Sequence, residues 1–319
     1  MATQKRGTVG LIFVGGSTLD GRERDTTTVT KPKDIESWIE HISEADIIAD
    51  TVGWFVASGE QPIGGREWTA TADLIAAHYD HVDGFVVLHQ LETLPAGATA
   101  LTLMVQQLSK PVVVVGSPLP APHERGHSPS AWPTTKEYGA KASFINAIQI
   151  AISDAAEVVV VYGSHVFRGP SVIRRLENER TRLDGEVLGK IDFGIRFFGK
   201  QVRRQSRRLV LRTKIESRVT ALEFLPGMTV DQVVAMTGAA KGLFISSSEA
   251  SRALQSALPE LRQRLQCPIG VFLPPGHGSK IGLTVPGSSR TNAVVAFMWA
   301  LGQAGTVAQL RKQLAVLHS

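Results

Sequence analysis

Short apolar runs and amphipathic stripes alternate along the first half of this chain, an order that predicts a βαβα arrangement. Val9 to Val14 is an unbroken apolar run that stops at Gly15-Gly16, the pattern of a strand buried on both faces. Ile35, Trp38, Ile39 and Ile42 follow at i, i+3, i+4 and i+7, one stripe of a helix. Ile47 to Val56 predicts a second strand, and Trp68, Ala72, Ile75 and Tyr79 a second helix. Gly84 to Leu88 is a third strand, and Leu94, Ala98, Leu101, Val105 and Leu108 make the clearest helical stripe. Pro111 to Val115, a helix over Phe144 to Ile152 and a strand over Val158 to Tyr162 complete the series. Right-handed crossovers would place the carboxyl end of every parallel strand on one edge.

The stretch from about 163 to 218 is less regular and more charged, and a second α/β unit follows it. Its predicted strands are Val219 to Leu225, Gly242 to Ile245 and Ile269 to Leu273. Its predicted helices carry Val230, Val233 and Val234, then Leu254, Leu258, Leu261 and Leu265. Two more end the chain, marked by Val294, Phe297, Met298 and Leu301 and by Val307, Leu310, Leu314 and Leu317. The expected organisation is a two-domain α/β protein. A larger domain over 1–190 holds a mainly parallel sheet flanked by helices. A basic linker spans 191–215, and a smaller α/β domain 216–319.

The length of 319 residues suits two domains, and 43% apolar with 20% charged residues is ordinary globular composition. The single cysteine, Cys267, has no partner within the chain, which fits a reducing compartment. The apolar run at Val9 to Val14 is too short for a signal core or a membrane span, so the expectation is a soluble cytoplasmic protein with no membrane association. The formal charge of +5 is concentrated only between Lys200 and Arg218. No aromatic residues interleave with those arginines to stack bases, so a solvated linker or edge strand is favoured over a nucleic-acid partner.

Ligands of open parallel sheets bind beyond the carboxyl ends of the strands. The first predicted strand is followed by Gly15-Gly16-Ser17-Thr18, the second by Ala57-Ser58-Gly59-Glu60, the third by His89-Gln90-Leu91-Glu92-Thr93 and the fourth by Gly116-Ser117. Hydroxyls, a carboxylate and glycines thus converge on one edge, which specifies a polar pocket and no particular reaction. Ser17 to Lys33 reads as a long connector of the kind that closes over active sites. Gly15-Gly16-Ser17-Thr18 taken alone also suits a plain turn, and it lacks the spacing of a dinucleotide-binding loop. Gly276-His277-Gly278-Ser279-Lys280 lacks the spacer of a phosphate loop and reads as a turn. His89 suits either a general base or a hydrogen-bonded histidine at a strand end.

At these loops the chain resembles the L-asparaginase family, particularly its cytoplasmic type. The first strand with Gly-Gly and a hydroxyl is similar to the family's Gly-Gly-Thr-Ile-Ala opening. The run from Asp83 through His89-Gln90-Leu91-Glu92-Thr93-Leu94 is similar to Asp-Gly-Phe-Val-x-x-His-Gly-Thr-Asp-Thr-Met. Lys110 to Pro120 resembles Pro-Val-Val-x-Thr-Gly-Ser-Met-x-Pro. Leu225-Pro226-Gly227-Met228 and Met298-Trp299-Ala300-Leu301-Gly302 echo two further family stretches. The resemblance implies hydrolysis of asparagine to aspartate and ammonia by a threonine in the first loop. A second threonine, beside an aspartate and a lysine, forms another hydroxyl centre. It implies no metal, no organic cofactor, and a homodimer or homotetramer whose sites are completed by a neighbouring chain.

Carried over position by position, the first-loop nucleophile falls on Ser17, next to Gly16, and the tyrosine that assists it falls near Thr26. The second threonine falls on Leu91, which has no hydroxyl. Its aspartate falls on Glu92, and its lysine on Arg174, which stays protonated and is no base near neutrality. Gly16, Ser58, His89, Thr93 and Ser117 take the substrate-binding positions, Ala57 replaces an acidic or glycine neighbour, and the family's glycine-rich loop appears as Ser246-Ser247-Ser248-Glu249. Ser17, Glu92 and Arg174 are therefore the candidate catalytic residues. Three readings stay open: hydrolysis of L-asparagine, action on another small amide or acyl compound, and a catalytically lapsed homologue that binds a ligand or partner.

Overall fold

The computed structural model describes residues 7–15, 18–20, 26–28, 43–57, 63–117, 140–177, 180–192, 194–248, 251–273 and 283–317. The chain divides into two compact units, Met1–Arg212 and Thr213–Ser319. The division falls inside the stretch expected to be a linker, and residues 191–212 belong to the first unit.

The first unit is built on an eight-stranded sheet. Its parallel part comprises β1 (Gly7–Val14), β4 (Ala49–Val56), β5 (Gly84–Gln90), β7 (Val112–Ser117) and β8 (Val158–Tyr162). Their spatial order is β4-β1-β5-β7-β8. Three antiparallel strands extend it beyond β8: β9 (His165–Arg168), β12 (Val187–Ile191) and β13 (Ile195–Phe197). Smaller two-stranded ribbons pair β2 (Thr18–Asp20) with β3 (Thr26–Thr28), β6 (Val105–Gln106) with β14 (Val210–Leu211), and β10 (Ile173–Glu177) with β11 (Arg180–Asp184).

The apolar runs become central strands because both faces are covered. Val9, Leu11, Phe13, Val86, Leu88, Val113, Val115, Val159 and Val161 alternate onto one face and pack on Phe144, Ala147 and Ile148 of α4 (Ala140–Ala151). On this side α1 (Ser43–Ile48) also packs against α4. The intervening strand residues face α2 (Gly65–Ala77) and α3 (Leu94–Met104), which pack on each other. Glu67 starts α2 by accepting a hydrogen bond from Gly64 N at 3.0 Å. Pro95 in the first turn of α3 costs no helical hydrogen bond.

The second unit holds a four-stranded parallel sheet in sequence order, β15 (Val219–Glu223), β16 (Gly242–Ser246), β17 (Ile269–Phe272) and β18 (Leu283–Thr284). Its core joins Leu222, Val233, Leu243, Ile245, Leu254, Leu258, Leu261 and Val271. Its helices are α5 (Val230–Thr237), α6 (Ser251–Arg264), α7 (Arg290–Gln303) and α8 (Val307–Val316). Thr229, Ser289 and Thr306 cap α5, α7 and α8 through their hydroxyls.

Several expectations are corrected. Ile47 and Ile48 are helical, and the strand begins at Ala49, opposite Gly7. An apolar run alone does not distinguish the two states. The stripe over 94–108 ends as a helix at Met104, because Val105 and Gln106 leave it to pair with β14, and Gln107 takes φ +56°. The connector over Ser17 to Lys33 contains the β2–β3 hairpin. The Ile35–Ile42 stripe and the Gly276–Lys280 turn lie outside the described residues.

The basic run is not simply solvated. Arg204 donates from Nε to Ser153 O at 2.6 Å, and from Nη2 to Asp83 O at 2.8 Å and Ala151 O at 3.2 Å. It thereby closes the carboxyl end of α4, where carbonyls lack helical partners. Val202 N donates to Glu157 Oε1 at 2.7 Å, and Arg168 Nη2 donates to Lys200 O at 2.6 Å. Residues 200–212 form a strap across the first unit.

Candidate active site

From β1 the chain crosses to β4 on one side, and from β5 it crosses to β7 on the other. Such a reversal in chain direction between neighbouring parallel strands is where open sheets bind ligands, beyond the carboxyl ends of β1 and β5. Phe13 pairs with Leu88 and His89 with Gly116, so the ends of β1, β5 and β7 lie nearly level. Gly15 is buried at the end of β1, and its N–H donates to Val56 O at 2.7 Å. Gly16, Ser17 and Ser58 lie outside the described residues. Ser117 is placed only through its strand backbone, which pairs with Gln90.

The turn Leu91-Glu92-Thr93 joins β5 to α3. Glu92 is exposed there. Thr93 is the residue preceding the first turn of α3, where a threonine ordinarily bonds a free helix N–H. Its hydroxyl makes no such bond: Thr93 Oγ1 is buried and has no hydrogen-bond partner among the described residues. An unsatisfied buried hydroxyl costs about 1–3 kcal/mol. It stands beside a carboxylate and the positive end of a helix, so the turn offers groups suited to hold or polarise a small polar ligand.

Leu91 turns back over β7. A methyl group added at Gly116 would lie 2.7 Å from Leu91 Cδ1 and 3.0 Å from Leu94 Cδ1. The position where the resemblance implies a reactive hydroxyl thus contributes an apolar cover to the strand end.

His89 is 1% exposed and faces α3, away from solvent. A methyl group on Gly97 would stand 2.4 Å from its Nε2. Nδ1 lies 3.0 Å from Gln90 O, and since a carbonyl only accepts, Nδ1 carries the proton. Burial holds the imidazole down at about 4, so it is neutral at physiological pH. Among the described residues His89, expected as a substrate contact, takes a buried packing position against the start of α3. Gly97 was not singled out from the sequence, although a glycine inside a strong helical stripe is the relevant signal.

Arg174 lies on β10 opposite Leu183 and is exposed. Among the described residues it makes no ion pair, and the structure does not bring it to Glu92 through any described contact. No group of three or more His, Cys, Asp or Glu side chains among the described residues is arranged to hold a metal ion. No helix among them is long and apolar enough to cross a membrane.

A family model described as "Asparaginase, N-terminal" matches residues 8–185. L-asparaginase 1 of Escherichia coli K12 is 33% identical over 105 residues, which cover 33% of this chain and 28% of that protein. A glutamyl-tRNA(Gln) amidotransferase subunit of Methanosarcina acetivorans is 25% identical over 284 residues, 83% of this chain and 63% of that protein. The chain thus spans less than two thirds of the length of these relatives. Among solved structures, the thermostable L-asparaginase from Thermococcus kodakarensis superimposes with a TM-score of 0.73 at 14% identity, covering 96% of both chains. L-asparaginase I from Vibrio cholerae gives a TM-score of 0.73 at 16% identity, covering 97% of both. At such identities the structural likeness is one of fold.

Proposed function

Because this chain belongs to the asparaginase family, we propose that it hydrolyses L-asparagine or a related small amide through a hydroxyl nucleophile. The observation that carries this reading is the buried hydroxyl of Thr93, unpartnered among the described residues, beside exposed Glu92 at the carboxyl end of β5. Ser17, from the loop after β1, is proposed to attack the side-chain carbonyl. Ammonia leaves, and water then hydrolyses the resulting ester to release the acid and restore Ser17. Gly16, Ser58, Thr93 and Ser117 are proposed to hold the substrate, and Glu92 and Arg174 to supply charge around it. The reaction so written uses no metal and no organic cofactor. The amidotransferase relatives make glutamine the second amide to test. We also propose a cytoplasmic homodimer or homotetramer.

A second reading, a lapsed homologue that binds a small amide or amino acid, is favoured by Leu91. Its side chain packs over Gly116 and offers no hydroxyl to relay a proton. Losing a positioned proton-transfer group costs on the order of 10²–10⁴ in rate. The test is ammonia release from asparagine and glutamine. Weak wild-type turnover is expected, raised by the triple change Leu91→Thr, Glu92→Asp, Arg174→Lys and abolished in that background by Ser17→Ala. Turnover that survives Ser17→Ala overturns the nucleophile assignment. Saturable asparagine binding with no ammonia from any of these proteins favours the lapsed homologue.

A further inference from the structure

At the amino ends of β17 and β18 the second unit carries a groove of about 220 Å³ between α6 and α8. Its floor is apolar, made by Leu258, Leu265, Ile269 and Leu283. Val307, the first residue of α8, forms part of the wall and stays 51% exposed. Arg262 and Arg311 stand at the rim, and no acidic side chain is among the described residues that line it.

We propose that this groove binds a small monocarboxylate with an apolar body, such as a medium-chain fatty acid. The volume is below the roughly 300–1,000 Å³ typical of drug-sized ligands, which limits the occupant to a short chain or a single ring. The leucines and isoleucine would cover the apolar body. Arg262 and Arg311 make no ion pair among the described residues, unlike Arg264, which is held by Asp231 and Glu260. Two such guanidinium forks beside an apolar floor suit a carboxylate, which they can bind bidentately. Arg262 lies in the last turn of α6, where a cation also offsets the helix dipole, but that role does not occupy its donors. The first turn of α8 reaches the groove at Val307, and a helix start favours an anion. Nothing in this reading depends on amide hydrolysis.

The chain's single cysteine, Cys267, lines the same groove and serves as its reporter. Burial pushes its thiol up, so alkylation is followed under mildly alkaline conditions. Octanoate, well below micelle formation, should slow labelling of Cys267 saturably, while octanol and octyltrimethylammonium at the same concentration should not. The double variant Arg262→Gln, Arg311→Gln should keep the wild-type melting temperature and weaken protection by about tenfold or more. Absence of protection by octanoate overturns the site. Equal protection by octanol or the ammonium compound overturns the carboxylate assignment, as does full protection in the double variant.

Discussion

Gly97 and His89 set two local effects against each other. Alanine is the better helix former by about 1 kcal/mol, which argues that Gly97→Ala should stabilise α3. A methyl group there would meet the His89 ring at 2.4 Å, and that ring is buried with no flexible end to swing away. Overpacking of this kind costs about 1–3 kcal/mol, so steric cost wins, and Gly97→Ala should lower the urea midpoint of the first unit. The same burial gives His89 a pH signature. Its folded value of about 4 lies below the ordinary 6.5, so the neutral form is favoured by folding. The stabilisation is complete above about pH 6.5 and is lost as pH falls towards 4, by about 3 kcal/mol in all. Unfolding measured at pH 7 and pH 4.5 should show this loss, and His89→Gln should flatten that part of the profile. An unchanged profile in His89→Gln would place the acid sensitivity elsewhere.

The elements easiest to read from the sequence were those whose environment repeats along the chain. Val112 to Val115 and Val158 to Val161 are apolar at consecutive positions because both faces of the central strands are covered. The strands β9, β12 and β13 were missed because they are short and form the antiparallel end of the sheet, where residues such as Lys190 and Arg196 face solvent and interrupt the apolar pattern. Of the candidate site, strand-end logic found the Glu92–Thr93 turn. It did not show that Leu91 folds back over Gly116 or that His89 turns inward, since both depend on contacts with α3 and β7. Charge density misled most at Arg204, whose guanidinium binds three carbonyls. Hydrogen bonds from a charged donor contribute about 1.5–3 kcal/mol each, though not additively. Arg204→Ala should therefore destabilise the first unit by about 2–3 kcal/mol in urea unfolding. Arg204→Lys, which keeps the charge but loses the planar fork, should recover only part.

For the whole molecule, each unit carries its own core, one around the sheet and α4 and the other around β16, α5 and α6. The proposed assembly is checked by light scattering at micromolar concentration. A dimer or larger is expected, and a monomer would remove the basis for a site shared between chains. The strap has a consequence in time as well as in stability. Arg204 reaches back 51 to 121 positions to its three carbonyls, and contacts across such long chain separations are entropically expensive to make before the intervening strands are in place. Its docking should therefore follow the rate-limiting step. In stopped-flow chevrons Arg204→Ala should leave the refolding limb nearly unchanged and raise the unfolding rate, so the strap acts as a late latch that sets how long the native first unit persists.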